Sequence, residues 1–204
     1  MKGNIYTLSY AAILSTVCAL LLAGAASFTR PYQEANKEAE ETLNILTALK
    51  VPLGEKVSSM ELGEIYEANI KVQEQGKITL YVYSPADAGG KTEAVVVRFE
   101  GPALWGPVKG FLALEADMRT IRGITFYEQE ETPGLGGEIV TDWFRQQFEG
   151  KSILDADGKP GIIIKGKGVT AQNQVDAISG ATMTCDKIQE MINKTIDALT
   201  AATK

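Results

Sequence analysis

The chain has 204 residues, a length that suits one anchoring segment plus one globular domain. Its 45% hydrophobic content is enough for a packed core, and its formal net charge of -6 excludes a sequence-independent nucleic-acid binder, which needs a Lys/Arg surface to neutralise phosphates. Histidine is absent, which excludes most catalytic zinc sites, Ser-His-Asp and Cys-His pairs, and histidine-ligated haem.

From Ile5 to Phe28 no residue is charged, and at about 1.5 Å per residue this stretch covers the roughly 30 Å hydrocarbon layer of a bilayer. It reads as a single membrane span. A cleaved signal peptide is the competing reading, because Lys2 precedes an apolar run that contains Ala23, Gly24 and Ala25. Lys2 before the span and Arg30 and Lys37 after it leave orientation weakly determined, and a long acidic domain is translocated largely regardless of charge. Cys18 falls inside the span and Cys185 near the C-terminus, so the two thiols are expected on different sides of the membrane surface, without a disulfide.

A break is expected at Arg30 and Pro31, followed by an amphipathic helix over Gln33–Leu49 with Leu43, Leu46 and Leu49 on one side. Pro52 and Gly54 end it, and Met60–Ile70 has the pattern of a shorter helix. Four β-branched or apolar runs follow, at Ile78–Tyr83, Ala94–Phe99, Gly110–Leu114 and Gly123–Tyr127. Turns over Asp87–Gly90 and Asp117–Arg119 connect them as an antiparallel sheet. Trp143–Phe148 reads as a short helix and Gly161–Ile164 as a further strand. Ile188, Met191, Ile192, Thr195, Ile196 and Leu199 recur at intervals of three and four, the signature of a helix that lays one face on the sheet. The expected fold is therefore α+β, an antiparallel sheet packed with helices and preceded by one transmembrane helix. Its expected divisions are an anchor (1–30), a helical linker or packing segment (31–75) and a ligand-binding domain (76–204).

Two loops carry more than packing requires. Glu131–Gly137 reads ETPGLGG, in which Pro133 restricts the chain and Gly134, Gly136 and Gly137 permit close backbone approach to a planar or anionic ligand with free N–H groups. A tight strand-to-helix connection uses the same residues. Asp176–Thr184 reads DAISGATMT and places Ser179, Thr182 and Thr184 around Gly180 and Ala181, directly before the last helix. Backbone amides at a helix N-terminus suit a phosphate. Ser and Thr are equally at home as simple N-caps.

The DAISGATMT run resembles the flavinylation motif of the FMN-binding-domain family, found in the C subunit of the sodium-translocating NADH:quinone reductase and in the G subunit of the Rnf complex. ETPGLG resembles the family's second signature, which lies against the flavin, and LWGPVKGFLAL, GITFYE and Trp143 with Phe148–Lys151 agree further with the quinone-reductase branch. Some members carry His near the position of Gln129, and Gly-Leu-Trp in place of Ala103, Leu104 and Trp105. The resemblance implies covalent FMN, esterified through its phosphate to Thr182. It implies Ser179, Gly180, Ala181 and Thr184 around the phosphate, and Glu131, Thr132, Gly134, Leu135, Gly136, Leu104 and Trp105 around the ring.

With no histidine to activate a threonine hydroxyl, self-attachment is not expected. In the family a separate FAD-dependent flavin transferase performs it, the threonine oxygen attacking phosphorus and AMP leaving. Lys165 or Lys167 would supply positive charge, although surface lysines are ordinarily just solvated. The resemblance further implies an electron-transfer role, sodium transport by the complex, other membrane subunits as partners, and an inner-membrane location with the FMN domain on the periplasmic side. No glycine-rich nucleotide turn for NADH is present, so electrons would arrive from another polypeptide of the complex. An anchored or secreted domain that binds FMN non-covalently is the alternative reading.

Overall fold

A computed structural model describes residues 2–54, 57–76, 78–85, 89–166, 168 and 171–202. It divides into two compact units, Met1–Ala39 and Glu40–Lys204. The first unit is helical. It belongs to α1 (Lys2–Ala48), whose N-terminal part is long and apolar enough to cross a membrane by length and composition. Its side chains from Asn4 to Glu38 are exposed, so no protein core absorbs this apolar surface. The break expected at Arg30 and Pro31 does not occur, because Pro31 lies inside α1. A proline there removes only one donor from the ladder, and Arg30 Nε donates to Glu34 Oε1 at 2.8 Å across the next turn.

In the second unit, α1 ends in a left-handed turn at Lys50 (φ 57°). Val51 N donates to the Leu46 carbonyl and Lys50 N to the Thr47 carbonyl, both at 3.0 Å. This C-terminal cap satisfies carbonyls that the helix end would otherwise leave bare. Then follow α2 (Ser59–Asn69), β1 (Ile70–Gln75), β2 (Ile78–Tyr83), β3 (Ala94–Pro102), β4 (Pro107–Glu115) and β5 (Ile121–Glu128). The five strands form one antiparallel sheet in sequence order. β1 lies outside the four expected strands. Only its first residue is buried, so its sequence lacks the apolar alternation by which the others are recognised. The expected helix over Met60–Ile70 ends one residue earlier, where Ile70 begins β1.

Alternation along the central strands serves two cores. Val95, Val97, Phe99, Leu112, Leu114, Ile124 and Phe126 face the main one, which α4 (Thr182–Ala202) covers with Ile188, Met191, Ile192, Ile196 and Leu199. Ala94, Val96, Phe111 and Ala113 face the other, filled by Ile45, Leu46 and Leu49 from the end of α1 and by Leu62 from α2. A register shift between β4 and β5 at Ala113/Leu114 changes the parity of the inward residues, so Ile121 and Ile124 both reach the α4 side.

The turn between β4 and β5 is built on Asp117, whose Oδ1 accepts from the amides of Arg119 (2.8 Å) and Thr120 (2.9 Å). Of the expected Asp87–Gly90 turn, residues 86–88 lie outside the described set, while Gly89 and Gly90 have φ of +63° and +80°. After β5 come a 3-10 helix (Gly136–Val140), α3 (Asp142–Gln146), and β6 (Ile163–Ile164). β6 pairs in parallel with β7 (Gln174–Val175) and is not part of the main sheet.

Candidate functional site

Three segments distant in sequence meet at the N-terminus of α4. They are the β3–β4 hairpin tip, the loop after β5 and the DAISGATMT turn. Between them is an open cavity of about 340 Å³ lined by Leu104, Trp105, Glu131, Thr132, Leu135, Gly136, Gly180, Ala181, Thr182, Met183 and Thr184. That volume lies in the range of small-molecule sites, roughly 300–1,000 Å³. Leu104, Trp105, Leu135 and Met183 are large apolar side chains left exposed around Thr182, Trp105 by 68%. Such a cluster in so small an area is what a planar apolar ligand would cover.

The turn that launches α4 explains the anionic end of the site. Gly180 takes φ +79°, a conformation L side chains rarely adopt, and a Cβ there would meet Leu135 Cδ2 at 3.0 Å. Ala181 N donates to the Ile178 carbonyl at 3.2 Å, and Cys185 N makes the first helical bond, to the Ala181 carbonyl at 3.0 Å. The N-cap is therefore Ala181, a residue with no side-chain acceptor. Among the described residues, none accepts from the amides of Thr182, Met183 and Thr184. They are the orphan donors of a helix start, at the positive end of the macrodipole. Simple capping by Ser179 or Thr182 is not what the turn does. Ser179 is exposed and does not line the cavity.

Thr182 and Thr184 differ sharply. Thr182, the first residue of α4, is exposed at the cavity wall. Thr184 is buried, and its Oγ1 donates to Glu131 Oε2 at 2.6 Å. In this arrangement the Thr184 hydroxyl proton is given to Glu131, while Thr184 still contributes to the cavity lining.

Glu131 is likewise turned inward. It is 4% exposed, and its Oε1 accepts from the amides of Leu104 (2.8 Å) and Trp105 (3.0 Å). Its own amide donates to Gln129 Oε1 at 2.7 Å, which gives Gln129 a definite structural task. The rest of the ETPGLGG loop uses most of the N–H groups expected to be free. Leu135 N and Gly137 N donate to the Thr132 carbonyl at 3.1 and 2.9 Å, and Gly134 N to Glu138 Oε1 at 3.1 Å. Gly134, at φ +74°, shapes the loop and does not line the cavity. Gly136 does line it, and a Cβ there would lie 2.5 Å from Thr184 Oγ1 and 2.6 Å from Glu131 Oε2.

Lys165 is exposed and is not among the lining residues, and Lys167 lies outside the described set. Met183 lines the cavity without having been singled out by the sequence pattern, although its place beside Thr182 at the first turn of a helix is a signal for it. Below the site, Ile178 N donates to Cys185 Sγ at 3.4 Å and pins the turn to α4. Burial pushes the Cys185 thiol up from its ordinary range, so it is a packing group and not a nucleophile.

Residues 103–203 match the family model of the FMN-binding domain. The C subunit of the Na(+)-translocating NADH-quinone reductase of Pasteurella multocida is 30% identical over 223 residues, covering 89% of this chain and 85% of that one. Its counterpart in Haemophilus ducreyi is 32% identical, covering 87% of this chain and 84% of its own. Among solved structures, the C subunit of the same reductase from Parabacteroides distasonis superposes with a TM-score of 0.67 at 29% identity, over 82% of this chain and 92% of that one. Shewanella oneidensis NqrC, at 24% identity and a TM-score of 0.66, shares the fold. The uncapped helix entrance, the apolar cavity beside it and these likenesses converge, and the chain belongs to the family formed by the C subunits of Na(+)-translocating NADH-quinone reductases.

Proposed function

We propose that this chain is an FMN-carrying, membrane-anchored electron-transfer subunit of a sodium-translocating NADH:quinone reductase, with the FMN phosphate esterified to Thr182. The observation that carries the reading is the start of α4, where Ala181 at the N-cap leaves successive amides unpartnered beside an exposed threonine hydroxyl. A phosphodiester there keeps one negative charge, which the helix end offsets by about 0.3–1 kcal/mol. Thr182 Oγ1 would be the atom that bonds the FMN phosphorus as the bond to AMP in FAD breaks, and a flavin transferase would supply the base this histidine-free chain lacks.

Once bound, FMN supplies the acceptance and donation of electrons, which no side chain here provides. The chain's part is to hold and shield it. Leu104, Trp105, Leu135 and Met183 would give the ring apolar walls, and the α4 amides would hold the phosphate. The apolar start of α1 anchors the chain, and the family resemblance supports an extracytoplasmic location for the domain, in contact with other membrane subunits.

Co-expression with a flavin transferase is expected to give a denatured polypeptide that fluoresces under ultraviolet light on a gel. The band should vanish in Thr182→Ala and persist in Ser179→Ala. Fluorescence that survives Thr182→Ala would place the attachment elsewhere, and flavin stripped entirely by acid from the wild type would make binding non-covalent. Protease added to intact spheroplasts should remove the fluorescent band if the domain lies outside the cytoplasm.

A further inference from the structure

We infer that Glu131 is a positioning residue, a buried carboxylate whose one task is to lock the Leu104–Trp105 wall of the cavity to the helix that starts at Thr182. The family resemblance groups Glu131 with the residues around the ring, and within the cavity lining it is the one whose carboxylate is turned into the protein. Both its oxygens are committed to the protein. Oε1 holds the successive amides of Leu104 and Trp105, and Oε2 holds the Thr184 hydroxyl, two residues along the helix from the attachment threonine. Without this carboxylate the hairpin tip keeps, among the described residues and beyond the strand pairing, the bond from Ala103 N to the Gly106 carbonyl at 2.9 Å. Leu104 and Trp105 would then be exposed side chains on a loop with little to set their distance from α4.

The surroundings fit Glu131 closely. Gly136 leaves room for Glu131 and Thr184 to meet, since any Cβ there would fall 2.6 Å from Oε2. A buried carboxylate is costly unless its oxygens are satisfied, and here they meet three donors. That cost is tolerated because the same group ties two cavity walls together. The inference rests on the FMN reading of this cavity for its purpose, though not for its geometry.

The two can be tested apart in the full-length chain in detergent. In the unloaded protein, Glu131→Ala should speed hydrogen exchange of the Leu104 and Trp105 amides by roughly tenfold or more, with the central strands unaffected. Glu131→Gln should keep most of the protection, because its single oxygen can still accept from both amides while its NH₂ group donates to Thr184 Oγ1. In the flavin-loaded protein, Glu131→Ala should leave the covalent band intact but raise flavin fluorescence severalfold and weaken its visible circular dichroism, with Glu131→Gln restoring both. Unchanged exchange at Leu104 and Trp105 in Glu131→Ala would overturn the inference. So would Glu131→Gln behaving like Glu131→Ala, since charge and not geometry would then be responsible. A wild-type chain that takes up no flavin would refute the FMN reading and leave the exchange comparison to decide the role of Glu131.

Discussion

At the scale of single residues, polar groups here act through who receives their hydrogen bonds. Asp117 shows this outside the site. Partial burial opposes its charge, but the Thr120 hydroxyl (2.6 Å) and the amides of Thr120 and Arg119 outweigh that and hold its carboxyl below the ordinary value of 3.8. A depressed carboxyl contributes stability that is complete above the ordinary value and is lost as pH falls through the folded one. Asp117 is exposed, so solvent screens its charge, and Asp117→Asn is therefore expected to lower stability by no more than about 0.5 kcal/mol near neutrality. The gap to wild type should narrow as pH falls below the ordinary carboxylate value, and urea titrations through that range measure it. A gap that does not change through acid titration would refute the assignment. Thr182 is singled out in the sequence because its motif is local, and it lies at the cavity wall. The inward turn of the Thr184 hydroxyl has a geometric reason. Two residues along a helix turn a side chain by roughly 200°, so if Thr182 faces out, Thr184 must face in with Ile188 and Met191. Glu131 cannot be placed from sequence at all, since its partners at Leu104, Trp105 and Thr184 are brought to it only by the hairpin and by α4.

At the scale of elements, the strands β2 to β5 and the last helix are readable because each buries a periodic apolar face. β1 is not, because an edge strand with solvent on most of its side chains needs no such pattern and is specified by its pairing with β2. Nor can composition tell that Ile45, Leu46 and Leu49 close the second core, since an apolar stripe does not name the surface it will meet. The contact is tight where α1 ends. A Cβ on Gly123 of β5 would come within 2.4 Å of the Ala48 carbonyl oxygen, a backbone atom that cannot swing away. Gly123→Ala is therefore expected to cost about 1–3 kcal/mol, seen as a lower urea midpoint, while the flavin site on the other side of the sheet remains competent for attachment. A midpoint equal to wild type would mean that α1 and β5 separate easily.

At the scale of the whole molecule, the outline of an apolar N-terminal helix and an α+β domain is plain from charge and hydropathy alone, while the meeting of three loops at one helix entrance is not. That entrance has a thermodynamic consequence. Ala181 at the N-cap forgoes the roughly 0.5–2 kcal/mol that a Ser, Thr, Asp or Asn would contribute, and an esterified phosphate would take over the missing acceptor. Filled protein should thus melt several degrees above empty protein, at about 2–4 °C per kcal/mol for a domain of this size, as differential scanning calorimetry of the two forms would read. Equal melting temperatures would mean the phosphate does not engage the helix. Because the less stable form is the one proteases catch unfolded most often, a cell that makes this chain faster than it can load it would clear the surplus of blanks by itself, with no dedicated inspector.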